Sequence, residues 1–158
     1  MKALEAETGE AWQGRRGARI VMEGGRLVAV QLLAGTRRAR PSAKPSPALR
    51  DALQQMQRFL AGRARGFSLR PRLDGSPFQV SVWKALRKVP YGRTISYAQL
   101  AAKAGHPGAA RAVGAAMAAN PLPLVVPCHR VVASNGLGGF TPGLAWKRWL
   151  FTLEGMSA

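Results

Sequence analysis

Cys128 lies in the run Val-Val-Pro-Cys-His-Arg-Val-Val at 125–132 and is the only cysteine in 158 residues. A lone sulfur can form no internal disulfide and supplies no Cys-rich zinc site, so packing and nucleophilic chemistry are its remaining uses. Cysteine attacks as a thiolate, and at an ordinary pKa near ~8.5 little of it is ionised at neutral pH. A base must therefore be at hand, and His129 follows directly. A neutral imidazole acting as base needs a partner on its other nitrogen to fix tautomer and orientation. Residues 78–158 offer one carboxylate for that task, Glu154, among nine lysines and arginines. Its place near the end of a helix is one where the macrodipole disfavours a negative charge. An acid kept there points to a Cys128–His129–Glu154 relay.

Two bland alternatives stand beside that relay. A free cysteine walled by valines is most often a buried structural residue, and Glu154 could be an ordinary solvent-exposed acid. The β-branched flanks suggest a buried or half-buried extended segment. In a strict strand, adjacent side chains point to opposite faces. The relay then needs a bend at Pro127 or at Asn120-Pro121-Leu122-Pro123, or a water between thiol and imidazole.

The elements that must position these groups are legible from periodicity and punctuation. Residues 18–23 and 26–33 read as two strands of a hairpin turned at Gly24-Gly25. Residues 35–46 read as an Arg- and Pro-rich loop, with Arg37, Arg38 and Arg40 solvated. Ser46-Pro47 caps a helix carrying Leu49, Leu53, Met56 and Leu60 and stopping at Gly62. Residues 63–74 link this part to the rest. Ser76-Pro77 opens a second helix whose Phe78, Val82, Ala85 and Leu86 share a face, ended by Pro90-Tyr91-Gly92. Ser96-Tyr97-Ala98-Gln99 is a capping box for a helix reaching 103 or 104. After Gly105-His106-Pro107-Gly108 comes a further helix over 109–119. Helix, Gly-containing turn, helix is the outline of a helix-turn-helix. A last helix over 143–153 carries Trp146, Trp149, Leu150 and Leu153 as its docking stripe. The fold class expected is α+β: a small α/β N-terminal domain with linker over 1–73, then a mainly α domain with the helix-turn-helix over 74–158.

Helices that read the major groove carry several long polar side chains, whereas the 109–119 helix carries one, Arg111, among Ala, Gly, Val and Met. Such a surface can approach a nucleic-acid backbone closely, with its first amides near phosphates. Arg111 could then enter the base stack or hold open the gap left by an extruded base. The same composition suits a helix packed internally, with Arg111 pointing to water. The formal net charge of +17 favours a polyanionic partner. No apolar run reaches the length of a membrane span, and the first residues do not resemble a signal peptide. With a single cysteine the expected location is cytoplasmic.

The run Pro127-Cys128-His129-Arg130-Val131, with Asn120-Pro121 before it and Ala-Ala-Arg-Ala-Val-Gly at 109–114, closely resembles the O6-alkylguanine-DNA alkyltransferases. Ser96-Tyr97 and Lys147-Arg148-Trp149-Leu150 leading to Glu154-Gly155 fall in that family's order. The resemblance covers residues 76–155 and is architectural before them. It implies that Cys128 takes the alkyl group from O6 of a guanine flipped out of double-stranded DNA, O4-alkylthymine being a further candidate lesion. It implies that His129 deprotonates Cys128 through water, that Glu154 orients His129, and that Asn120 braces the turn. Tyr97 would help rotate the nucleotide and protonate the leaving guanine at N3, and Arg111 would fill the vacated stack. Ser96, Ala109, Ala110 and Gly114 would line the DNA-binding surface. Val131, Ser134, Phe140 and Met117 would form the base pocket, and Arg130 would anchor structure rather than react. The 135–143 loop is about one residue shorter than in many relatives. Phe140 replaces a common tyrosine, so a hydroxyl contact is lost, and Pro142 lies where glycine is frequent. No cofactor is implied, and the zinc site of some relatives cannot be carried over without cysteines in the N-terminal half.

The product of such a transfer is a thioether, which no second cysteine is present to resolve; a monomer used once is expected. Two other classes compete. A DNA-binding module without transferase activity would dispense with Cys128. A Cys-His hydrolase would regenerate its nucleophile.

Overall fold

The computed structural model describes residues 5–37 and 44–157, which fall into two compact units, Met1–Arg72 and Leu73–Ala158. In the first, β1 (Ala6–Gln13), β2 (Arg16–Glu23) and β3 (Arg26–Ala34) form an antiparallel meander in the order β1-β2-β3. Gly24 and Gly25 both take positive φ at the β2–β3 turn, the conformation that a tight hairpin demands and that glycine adopts without strain. The hairpin is thus where the sequence places it, but β1 was not anticipated. Its sequence, Ala-Glu-Thr-Gly-Glu-Ala-Trp-Gln, shows no alternation of apolar residues. What makes it a strand is eight-residue pairing with β2.

Helix α1 (Pro47–Leu60) starts where Ser46 accepts the Leu49 amide and ends before Gly62 at φ 72°. Its Leu49, Ala52, Met56, Phe59 and Leu60 are buried, as are Ala18, Ile20, Met22 and Leu27 of the sheet it packs on. Burying each of the larger side chains contributes roughly 2 kcal/mol. The expected linker is partly structured: Arg70 and Arg72 bracket Leu27 of β3, with hydrogen bonds Leu27 N to Arg70 O at 2.9 Å and Arg72 N to Leu27 O at 2.8 Å. Arg37 is exposed, while Arg38 and Arg40 lie outside the described residues.

In the second unit, α2 (Pro77–Leu86) and α3 (Tyr97–Lys103) each begin with a complete capping box, Ser76 with Gln79 and Ser96 with Gln99. After a turn through Gly105 and Gly108, both at positive φ, comes α4 (Ala110–Ala118). Helices α2, α3 and α4 pack on one another, and the Trp83 indole donates to Ala116 O at 2.9 Å. Two two-residue strands, β4 (Ile95–Ser96) and β5 (Val131–Val132), pair in parallel with Ile95 opposite Val131. Because β4 runs straight into α3 and β5 leaves the cysteine segment, this pairing brings Tyr97 towards Cys128.

Helix α5 (Leu144–Leu153) closes the unit. Its buried face differs from the expected stripe: Trp146, Lys147, Leu150 and Phe151 are buried, and Trp149 and Leu153 are half-buried. The pairs 146/150 and 147/151 are each four residues apart and so share a helix face. Lys147 was passed over because its charge hides its place on that face. No helix among the described residues is long and apolar enough to cross a membrane.

Candidate active site

Asn120 builds the approach to the cysteine. Its Oδ1 accepts the Leu122 amide and its Nδ2 donates to Val126 O, both at 2.9 Å, and Val126 N bonds Leu122 O at 2.8 Å. Inside this loop Leu124 is held at φ 75°, a left-handed conformation that costs a non-glycine residue roughly 1–2 kcal/mol. The chain then enters a single 3-10 turn at Cys128–Arg130, so the expectation of an extended segment is corrected. Prolines at 121, 123 and 127 withhold the amides that a strand ladder would use. The turn directs three successive side chains in three directions and buries all of them.

His129 is fully buried, and its Nε2 hydrogen-bonds Oε2 of Glu154, the C-cap residue of α5. Glu154 is also held by Arg130, through Nε to Oε1 at 2.9 Å and Nη2 to Oε2 at 3.2 Å, and by the Gly92 amide at 2.9 Å. Burial alone would raise its pKa, but the hydrogen bond and charge of His129 and the bonds from Arg130 and Gly92 prevail and hold it at about 2. Burial lowers the His129 pKa and outweighs the opposing influence of Glu154, so the ring is neutral at pH 7 and its charge acts on Glu154 only in acid. His129 Nδ1 is buried and has no hydrogen-bond partner in the protein, alone in this among side-chain atoms of the described residues. With Nε2 committed to a carboxylate, Nδ1 is the basic nitrogen.

Burial pushes the Cys128 thiol up to about 11, against a hydrogen bond from Asn120 and the charge of Lys147, which both lower it. The resting sulfur is therefore a protonated thiol. Lys147 is fully buried and donates to Val131 O at 2.7 Å and Gly139 O at 2.9 Å. Its own pKa falls to about 8 through burial, with Cys128 opposing the fall. Tyr97 is half-buried; burial raises its pKa against a backbone hydrogen bond from Gly139, and the nearby Cys128 raises it further. A Cβ on Gly138 would come within 3.2 Å of the Tyr97 hydroxyl, so the backbone there runs close over the ring.

Cys128, His129, Glu154, Asn120 and Tyr97 are thus brought together around one turn. Ser96 serves as the α3 cap, and Ala109, Ala110 and Gly114 are half-buried at and along α4. In α4 Val113 and Ala116 face the core, while Arg111, Ala112, Ala115 and Ala118 are exposed. Of the two readings of this helix, internal packing is excluded for that face: a smooth outer surface carries one arginine. Of the expected base pocket, Met117 and Phe140 are half-buried and Ser134 is exposed. The Val131 carbonyl already accepts from Lys147, leaving one of its two lone pairs for any base. Sequence reasoning missed Lys147 and Gly92. A lysine four residues from Phe151 and three from Leu150 was the signal available for the first. Nothing local marks a backbone amide as the partner of an acid 62 residues away.

Residues 77–156 match the family described as 6-O-methylguanine DNA methyltransferase, DNA binding domain. The chain is 44% identical over 107 residues to a methylated-DNA–protein-cysteine methyltransferase of Methanosarcina acetivorans, covering 67% of this chain and 69% of that one. A Salmonella typhimurium protein of the same name is 54% identical over 89 residues, 56% of this chain and 52% of its own. Among solved structures, Mycobacterium tuberculosis O6-methylguanine methyltransferase superposes with a TM-score of 0.81 at 35% identity, over 95% of this chain and 93% of that one. The Mycobacterium tuberculosis OGT in complex with DNA gives 0.76 at 39% identity, over 87% and 86%.

Proposed function

The chain belongs to the 6-O-methylguanine DNA methyltransferase family, and on that premise we propose that it repairs duplex DNA by moving the alkyl group of O6-alkylguanine onto Cys128. The observation that carries the reading is the buried chain Glu154–His129, ending at an unpartnered Nδ1 one residue from the sole thiol. His129 Nδ1 takes the Cys128 proton through a bridging water, and Glu154 holds the resulting imidazolium. The sulfur attacks the alkyl carbon, forming the S–C bond as the C–O6 bond breaks. The electron pair of that bond stays on the purine, which Tyr97 protonates at N3. A thiol held at about 11 needs this coupling of base and leaving-group acid, because little thiolate exists beforehand.

The α3–turn–α4 pair acts as a helix-turn-helix with α4 in the minor groove. Its exposed alanines allow close approach, and Ala109 caps the helix without a side-chain bond, which supports phosphate binding by the first amides. Arg111 occupies the stack vacated by the flipped nucleotide. Phe140 and Met117 flank the base, and Ser134 meets it from the exposed rim. The thioether product is not reversed, so each monomer acts once, and a thiol that must stay reduced suits the cytoplasm.

Incubation with duplex DNA carrying O6-methylguanine should add one methyl group to the Cys128 peptide, read by mass spectrometry. An unmodified peptide, or methylation of a Cys128→Ser variant, would sink the mechanism.

A further inference from the structure

Arg130 is neither nucleophile nor base in this scheme, yet its buried guanidinium makes three hydrogen bonds. Its Nε and Nη2 grip both oxygens of Glu154 at 2.9 and 3.2 Å, and its Nη1 donates to Val89 O at 2.9 Å. The guanidinium carbon lies 5.6 Å from the centre of the Tyr91 ring, whose hydroxyl donates to Leu153 O at 3.0 Å. The arginine is therefore fixed from two sides, by the 89–92 segment and by the end of α5.

The carboxylate it grips is saturated. Oε1 accepts from Arg130 Nε and the Gly92 amide, and Oε2 from His129 Nε2 and Arg130 Nη2. Two lone pairs on each oxygen give four sites, and all four are taken. A proton arriving on Nδ1 therefore stays on the imidazole, because the bonds from Arg130 and Gly92 favour the ionised carboxylate and make Glu154 a poor acceptor of the Nε2 proton. The guanidinium also sets a fixed positive charge beside the ring, opposing the imidazolium. The charged and titratable groups around His129 are Glu154 and Lys147 from α5, Arg130 from the ring's own turn, and the Cys128 thiol. The 89–92 segment adds the Gly92 amide on Glu154 and the Tyr91 ring beside Arg130, its hydroxyl turned to Leu153 O.

We propose that Arg130 is a positioning residue that sets how readily His129 takes the proton of Cys128, by saturating Glu154 and opposing positive charge on the ring. This rests on the alkyl-transfer reading and adds to it a separate, pH-dependent signature. Removing the guanidinium should make His129 more basic, so that the ring is already protonated, and useless as a base, at higher pH.

The test is the pH profile of single-turnover transfer to Cys128 from free O6-benzylguanine, which bypasses DNA binding, in the full-length protein. Arg130→Gln should move the acid limb upward by about 1 pH unit or more, a roughly tenfold loss of rate at any pH on that limb. Arg130→Lys, which keeps the charge but not the fork, should shift the limb the same way by less. A uniform fall at every pH would mean a structural role alone and would overturn the proposal. The chain has two histidines, so 15N NMR of a His106→Gln background follows the His129 ring by itself. Should Arg130→Gln not fold, an unchanged ring titration in Arg130→Lys overturns the proposal equally. Failure of the wild-type protein to alkylate Cys128 would instead remove the underlying reading.

Discussion

The Lys147 ammonium donates to the carbonyl oxygen of Val131 at 2.7 Å, fastening α5 to the strand that leaves the cysteine turn. Within that fully buried bond the lysine carries a pKa of about 8 because burial penalises its charge. In the unfolded chain the same group titrates near its ordinary 10.5. Between those values the unfolded state binds more protons, so Lys147 makes folding more favourable as pH rises from 8 to 10.5. Measured by urea denaturation at pH 7 to 10, wild type should gain stability relative to Lys147→Met across that window. A gap independent of pH would contradict the burial of the charge.

Glu154 gives a slope of the same sign in the acid range. Its folded pKa is about 2 against an ordinary 4.5, so its stabilisation is complete above 4.5 and is lost as pH falls towards 2. The linked free energy is on the order of 3 kcal/mol. Glu154→Gln should flatten the acid limb of a stability-against-pH curve and abolish transfer at neutral pH. An acid limb unchanged by the substitution would show that other groups govern acid unfolding.

A thiol pushed up to about 11 is guarded. In the folded protein at pH 8, Cys128 should react with iodoacetamide at least ~10-fold more slowly than in the denatured chain, since little thiolate is present. Equal rates would show that burial does not protect it.

Arg111 lies on the exposed side of α4, whereas Cys128 is buried in its turn. Arg111→Ala should slow repair of O6-methylguanine in duplex DNA by ~10-fold or more through loss of stack filling, while transfer from free O6-benzylguanine changes little. Equal losses on both substrates would refute the role.

Much of this was legible in the sequence because its signals are local. The boxes Ser76/Gln79 and Ser96/Gln99 announce their helices, since the bonds they make span three residues. The Gly24-Gly25 turn does the same for β2 and β3. Strand β1 was illegible because its reason to exist lies in its partner. On α5 the stripe shows Trp146 and Leu150, which are buried, but hides Lys147, whose two carbonyl partners its own segment does not reveal.

By itself the sequence determined the reactive inventory: one thiol, a histidine beside it and one acid in a basic half. It also determined the helix starts, through side chains that bond their own backbone. Tertiary structure alone decided the protonation state of each group. The pairing of β4 with β5, the fork of Arg130 and the Gly92 amide are contacts between distant segments. Burial holds the thiol protonated and the imidazole neutral, because moving charge out of water is costly, whereas bonds from His129, Arg130 and Gly92 keep the buried acid ionised.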